Sequence, residues 1–218
     1  TRQNLTCVFV QTYSGAEPGT SVSSAVFKSM GKSVDNIILE TDRLILRKFE
    51  LKDMEALFLL LNDKDVNTFL PWYPVKNLEQ AEAFYKKRIA DKKYYFAICM
   101  KQDNIPVGYV NAETDDSHDF GYAIRKEFWH KGIATEASKA LVEYLKKDGI
   151  LYITATHDRN NPRSGGVMRN IGMKYCYSYE EQWQPKNFPV IFRMYQLNLD
   201  GREDRVYRKY WNIYDRHF

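Results

Sequence analysis

Residues 128–137 read Phe128-Trp129-His130-Lys131-Gly132-Ile133-Ala134-Thr135-Glu136-Ala137, and this stretch decides how the rest of the chain is read. Just before it, Phe120 to Ile124 has the composition of a strand. From Gly132 the period changes. Ile133, Ala137, Ala140, Leu141, Tyr144 and Leu145 fall at i, i+4, i+7, i+8, i+11 and i+12, one apolar stripe of an amphipathic helix that stops at Asp148-Gly149. A helix N-terminus leaves several backbone N–H groups unpaired and carries partial positive charge. Small residues at 132 and 134 let an anion such as a diphosphate approach those amides, with Lys131 beside it. The pattern predicts a phosphate site or, failing that, an ordinary strand-to-helix connection. It is neither a P-loop nor the GxGxxG dinucleotide turn.

Upstream, ordered pattern begins near Ile38. Residues 43–49 (RLILRKF) read as a strand. Asp53 then opens a helix with Met54, Leu57, Phe58 and Leu61 on one stripe. Pro71 and Pro74 break any helix between Thr68 and Lys76, leaving an aromatic loop that holds Phe69, Trp72 and Tyr73. A second helix is expected from about Leu78 to Ala90. Strands at Tyr94–Met100, Val107–Ala112 and Phe120–Ile124, joined by short turns, suggest an antiparallel meander.

Downstream, residues 150–156 (ILYITAT) read as a strand and Pro162 to Asn170 as a short helix, with Pro162 in its first turn and Gly172 past its end. Strands near Lys174–Tyr179 and Val190–Asn198 follow. The order β-α-α-β-β-β-α-β-α-β-β predicts a mixed α/β fold with a mostly antiparallel central sheet and flanking helices. Residues 1–36, rich in Ser, Gly and Thr, read as a poorly specified extension without a role in the chemistry. Residues 37–200 are expected to form the domain, and residues 201–218 a Tyr- and Arg-rich tail with helical character.

The 218 residues suit one sizeable domain plus extensions. A formal charge of +4, from 32 basic and 28 acidic residues well mixed along the chain, fits an anionic ligand but not a nucleic-acid footprint. The tail carries Glu203, Asp204 and Asp215, which also argues against nucleic acid. Cys7, Cys99 and Cys176 lie far apart with no CxxC and no companion histidine cluster, which argues against a disulfide scaffold or a structural zinc site. No apolar run approaches the ~20 residues of a membrane span. The first residues do not have a signal-peptide pattern, so a cytoplasmic location is expected.

Four stretches together resemble the GNAT superfamily of N-acetyltransferases, in the family's order and at plausible spacing. The run EFWHKGIATEA (Glu127–Ala137) is similar to the acetyl-CoA-binding loop Q/R-x-x-G-x-G/A. It is closest in form to the branch containing the ribosomal-protein N-terminal acetyltransferases, which reads xFWGKGYATEA. LETDRLILRKFELKDMEAL (Leu39–Leu57), DFGYAI (Asp119–Ile124) and NNPRSGGVMRNIGM (Asn160–Met173) resemble that branch's opening strand and helix, its fourth strand and its N-x-x-S block. The likeness covers roughly residues 38–199. Trp129 stands where the broad superfamily has Gln or Arg, and His130 replaces a usual glycine, which matters if that position needs positive φ.

The resemblance implies a GNAT-like acyl-CoA N-acyltransferase fold, acetyl-CoA as cosubstrate and no metal. It implies diphosphate contacts from His130, Lys131, Gly132, Ile133, Ala134 and Thr135, and a thioester lying along Tyr122, Ala123 and Ile124. Asn161 would hold the pantetheine arm. Ser164 would lie near the sulfur, or merely begin a helix. Met168 occupies the place where many members carry a proton-donating tyrosine, which makes Ser164 the replacement acid. Transfer would go directly to an amine, with a backbone N–H stabilising the developing oxyanion. The base is Glu113, Asp119, Glu180 or Glu181, or a water, unless these carboxylates are only solvated surface groups. Phe69, Trp72 and Tyr73 either line the acceptor site or cover the core. The acceptor is a protein α-amine or a small-molecule amine, and the protein a monomer or homodimer. A catalytically silent CoA-binding module is the alternative.

Overall fold

In the computed structural model, which describes residues 37–218, five strands pair antiparallel in chain order. They are β1 (Leu39–Glu40), β2 (Leu44–Arg47), β3 (Tyr94–Met100), β4 (Pro106–Ala112) and β5 (Phe120–Ile124). A second, three-stranded sheet has the order β6 (Tyr152–Asp158), β8 (Phe188–Asn198), β7 (Lys174–Trp183). The helices are α1 (Met54–Asn62), α2 (Lys64–Asn67), α3 (Leu78–Arg88), α4 (Ile133–Lys147), α5 (Pro162–Asn170) and α6 (Lys209–Ile213).

β3 is buried on both faces, as its unbroken apolar run YYFAICM requires. Tyr94, Phe96 and Ile98 point to a core shared with Ile133, Ala137, Leu141 and Leu145 of α4. Tyr95, Ala97 and Cys99 point to a second core with Leu57, Leu60 and Leu61 of α1 and Ala81 of α3. The sheet is therefore the middle layer of three, and the mixed α/β architecture expected from the sequence is present.

Several boundaries move for identifiable reasons. The strand expected at 150–156 lies at 152–158, because Ile150 N–H still bonds to the Leu145 carbonyl at 3.0 Å and Gly149 takes φ +83° to end α4. β2 stops at Arg47, whose guanidinium turns inward onto Asp53 through two hydrogen bonds of 2.7 and 2.9 Å. α3 ends at Arg88 rather than Ala90. The one-turn α2, capped by Asp63 through Asp65 and Val66 N–H, had no periodicity long enough to reveal it.

The tail is helical only over Lys209–Ile213. Beyond it, Arg216 to Phe218 pair antiparallel with Ser178 to Glu180 on the outer edge of β7. The Tyr179 ring is fully buried and stacks on Tyr214 at 4.7 Å and on Tyr210 at 5.3 Å. Aromatic burial, rather than helix propensity, holds the tail in place.

Candidate active site

β5 and β6 run parallel but belong to different sheets. They touch at one bridge, Asp119 to Thr154, reinforced where Thr154 Oγ1 donates to the Ser117 carbonyl at 2.8 Å. Past that bridge no ladder joins them, so a gap opens toward their C-terminal ends, where β5 feeds α4 and β6 feeds α5. Tyr122 of β5 reaches across to α5: its hydroxyl lies 2.7 Å from the Ser164 carbonyl and 2.8 Å from Ser164 Oγ. Burial pushes the Tyr122 phenol up from its ordinary pKa, keeping it protonated.

Register shows which backbone groups line the gap. Arg125 N–H donates to the Val107 carbonyl at 2.8 Å and Glu113 N–H to the Asp119 carbonyl at 3.0 Å, with Tyr109 facing Ala123 between them. Antiparallel pairs alternate in hydrogen bonding, so Gly121 and Ala123 direct N–H and C=O at β4. Phe120, Tyr122 and Ile124 direct theirs at the outer edge, toward β6. The Ile124 carbonyl is taken by the Trp129 indole N–H at 2.7 Å, which folds the loop back on its strand. That bond gives Trp129 a role in the position usually held by Gln or Arg.

At the open end, α4 begins with Gly132 at φ +74° and no side chain caps it. The first-turn amides of Ile133, Ala134 and Thr135 thus keep their donors for a ligand. α5 differs: Asn161 caps it by accepting from Ser164 N–H at 3.3 Å. His130 is left-handed, at φ +60°, so this position does need positive φ and a histidine occupies it at a conformational cost. Lys131 lies over the Phe128 ring and Arg163 over Trp129, placing two cations beside the loop.

The carboxylates expected as bases separate. Glu113 pairs with Lys92 at 2.6 Å, and both it and Asp119 sit where β4 turns into β5, at the closed end of the gap. Glu180 pairs with Arg216 of the tail at 2.8 Å. Glu181 is 2% exposed, on the sheet face that carries Tyr179 and Trp183. In the aromatic loop, Trp72 lies edge-on to Phe84 with the Arg88 guanidinium 5.3 Å over its ring. Arg88 therefore already occupies one face of the Trp72 ring. Phe69 is exposed. Tyr73 is exposed too and donates to the Pro185 carbonyl at 3.2 Å, while Lys186 Nζ bonds the Asn67 carbonyl at 2.6 Å. These contacts pin the β7–β8 turn to the loop.

His157 of β6 is buried and donates from Nδ1 to the Asp158 carbonyl at 2.8 Å, leaving Nε2 without a partner against Gly165. It makes no bond to Ser164. Among the described residues there is no cluster of metal-ligating side chains, and no helix is long and apolar enough to cross a membrane. Two features were hidden in the quoted motifs: the side-chain contact of Tyr122, and an ion pair between Arg43 and Glu136. Both residues of each pair stand in those motifs, but only folding shows them as partners.

Residues 43–174 match the family described as "Acetyltransferase (GNAT) domain". The chain is 30% identical over 163 residues to the uncharacterized N-acetyltransferase YnaD of Bacillus subtilis (strain 168), covering 70% of this chain and 95% of that one. It superposes with a TM-score of 0.62 and 18% identity on RimL, a ribosomal L7/L12 alpha-N-protein acetyltransferase in complex with coenzyme A, over 76% of this chain and 100% of that one. The spermidine N-acetyltransferase of Vibrio cholerae, in complex with CoA and spermine, matches with a TM-score of 0.63 and 18% identity over 73% and 97% of the two chains. The chain belongs to the GNAT family of N-acetyltransferases.

Proposed function

We propose that this enzyme takes the acetyl group from acetyl-CoA and passes it directly to a slender primary amine. The observation that carries the reading is the uncapped N-terminus of α4 opening at the gap between β5 and β6. The similar acetyltransferases solved with coenzyme A support it. Gly132 to Thr135 would hold the diphosphate through backbone N–H groups, with His130 and Lys131 beside it. The Tyr122 and Ile124 N–H groups at the strand edge would hold the pantetheine and polarise the thioester carbonyl. Asn161, whose side-chain oxygen caps α5, keeps its NH2 to donate to a pantetheine carbonyl.

Acetyl-CoA supplies an activated thioester when bound. The amine nitrogen, having lost a proton to water or to a carboxylate, attacks the carbonyl carbon. The C–S bond then breaks and the nitrogen gives up its second proton; the thiolate takes a proton from Ser164, whose hydroxyl Tyr122 orients and which regains its own, through water, from the one the nitrogen releases. A covalent route has little support, since Cys99 lies in the core and His157 does not engage Ser164. Tyr73 and Lys186 tie the β7–β8 turn to the aromatic loop, and this narrowing favours a peptide N-terminus or small amine over a lysine on a folded surface.

The test is thermal. Acetyl-CoA at about 100 times its dissociation constant should stabilise the fold by roughly 2.7 kcal/mol, and ATP should not. Thiol release with a panel of peptide N-termini and polyamines then identifies the acceptor. No shift with folded protein would refute the reading.

A further inference from the structure

Glu136 stands in the first turn of α4, where a bare carboxylate would compete with an anionic ligand for the same positive helix end. It does not stand bare. Its Oε1 accepts from Thr41 Oγ1 at 2.6 Å and from Arg43 N–H at 3.1 Å, and its Oε2 accepts from Arg43 Nε at 2.8 Å. Arg43 Nη2 closes the fork at 2.6 Å from Oε2 and also donates to the Lys131 carbonyl at 3.0 Å. One guanidinium thus grips both the helix and the loop that precedes it, from the turn between β1 and β2. A Cβ added to Gly132 would lie 3.6 Å from Arg43 Nη2, which places the cation directly behind the loop.

We infer that Arg43 and Glu136 are positioning residues for the diphosphate-binding loop. Arg43 fixes the loop through the Lys131 carbonyl and neutralises Glu136, so that the field at the α4 N-terminus remains positive where the ligand's phosphates approach. Removing Arg43 has two effects. The loop loses its anchor, and an unpaired carboxylate is left beside the anion site. Only the second is reversed by removing the carboxylate as well, and this gives the pair a signature that a purely structural contact lacks.

The inference rests on the acetyl-CoA reading above, and the experiment separates the two. The probes are acetyl-CoA and S-acetylpantetheine, a thioester without the diphosphate, and the readout is the ratio of their kcat/KM values. In the full chain, Arg43→Ala should lower the preference for acetyl-CoA about tenfold, a loss on the scale of one partly exposed charge interaction. Arg43→Ala combined with Glu136→Gln should recover part of that preference. An unchanged ratio in Arg43→Ala, or a double variant no better than the single, would overturn the inference. Equal losses with both thioesters, accompanied by a lower melting temperature, would reduce the pair to a structural contact and overturn it as well. If the wild-type protein itself shows no preference for acetyl-CoA, the diphosphate site fails, and the positioning role with it.

Discussion

Tyr122 and Ser164 hold each other across the gap between the two sheets: the phenol donates to the Ser164 carbonyl at 2.7 Å, and the Ser164 hydroxyl, 2.8 Å away, donates back to the phenol oxygen. The phenol has a single proton and the carbonyl must accept it, so the direction of both bonds follows from chemistry. The serine proton is thereby held at the mouth of the gap by a group that belongs to the facing strand.

Tyr122→Phe removes both bonds while keeping the ring. It should cost about 0.5–1.5 kcal/mol of stability and lower kcat about tenfold if Ser164 serves the departing thiolate, part of the roughly 10²–10⁴-fold that general acid catalysis supplies. Ser164→Ala should lower kcat at least as much. Thiol release at saturating acetyl-CoA measures both. Full activity in Ser164→Ala would remove it from proton transfer.

The loop before α4 contains two left-handed residues, His130 and Gly132. His130→Gly should raise stability by about 0.5 kcal/mol, since relief of left-handed strain slightly exceeds the added entropy of the unfolded chain. Gly132→Ala should lose about 1 kcal/mol and weaken acetyl-CoA binding, because it displaces the first-turn amides proposed to hold the diphosphate. Urea unfolding and ligand titration read the two effects separately.

Gly165 packs against the His157 ring, and a Cβ there would lie 2.6 Å from Nε2. Gly165→Ala is favourable to a helix in isolation by up to about 1 kcal/mol. The clash should dominate, at about 1–3 kcal/mol, leaving a less stable protein in chemical denaturation.

His157 is 4% exposed, and burial lowers its pKa from the ordinary 6.5. The unfolded chain therefore binds the histidine proton more readily than the folded one. Stability is full above pH 6.5 and declines as pH falls from there through the lowered folded value. His157→Asn, which retains a donor near the Nδ1 position, should flatten that part of the curve. An unchanged slope in the variant would assign the loss to another group.

Arg47 and Asp53 are both buried and joined by paired hydrogen bonds. Arg47→Met leaves the Asp53 carboxylate without its cation and should destabilise the protein by about 3–5 kcal/mol, whereas replacing both partners with apolar residues should cost far less. A double-mutant cycle in urea distinguishes these outcomes.

Residues 128–137 and the helix that follows were legible without any structure because their signals are local. A glycine at the cap, small residues in the first turn, a stripe of period 3.6 and a Gly149 stop all act within a few residues of one another. The same holds for α5, bounded by Pro162 and Gly172, and for the β3–β4–β5 meander with its short turns. Strand β6 was misplaced by two residues because the end of α4 is fixed by bonds reaching back five residues, beyond what composition reveals. The relation among the carboxylates was not legible at all. Lys92 for Glu113 and Arg216 for Glu180 come from distant parts of the chain, and a charge partner at long range leaves no periodic trace. By itself, then, the sequence determined the longer elements, a mixed α/β fold and the anion-ready helix start, since backbone propensity and hydrophobic period are written residue by residue. Only the tertiary structure decided that β5 and β6 part beyond Asp119 and Thr154, that Tyr122 meets Ser164 across the gap, and that Arg43 restrains Glu136, because each depends on which surfaces pack together once the apolar faces are buried.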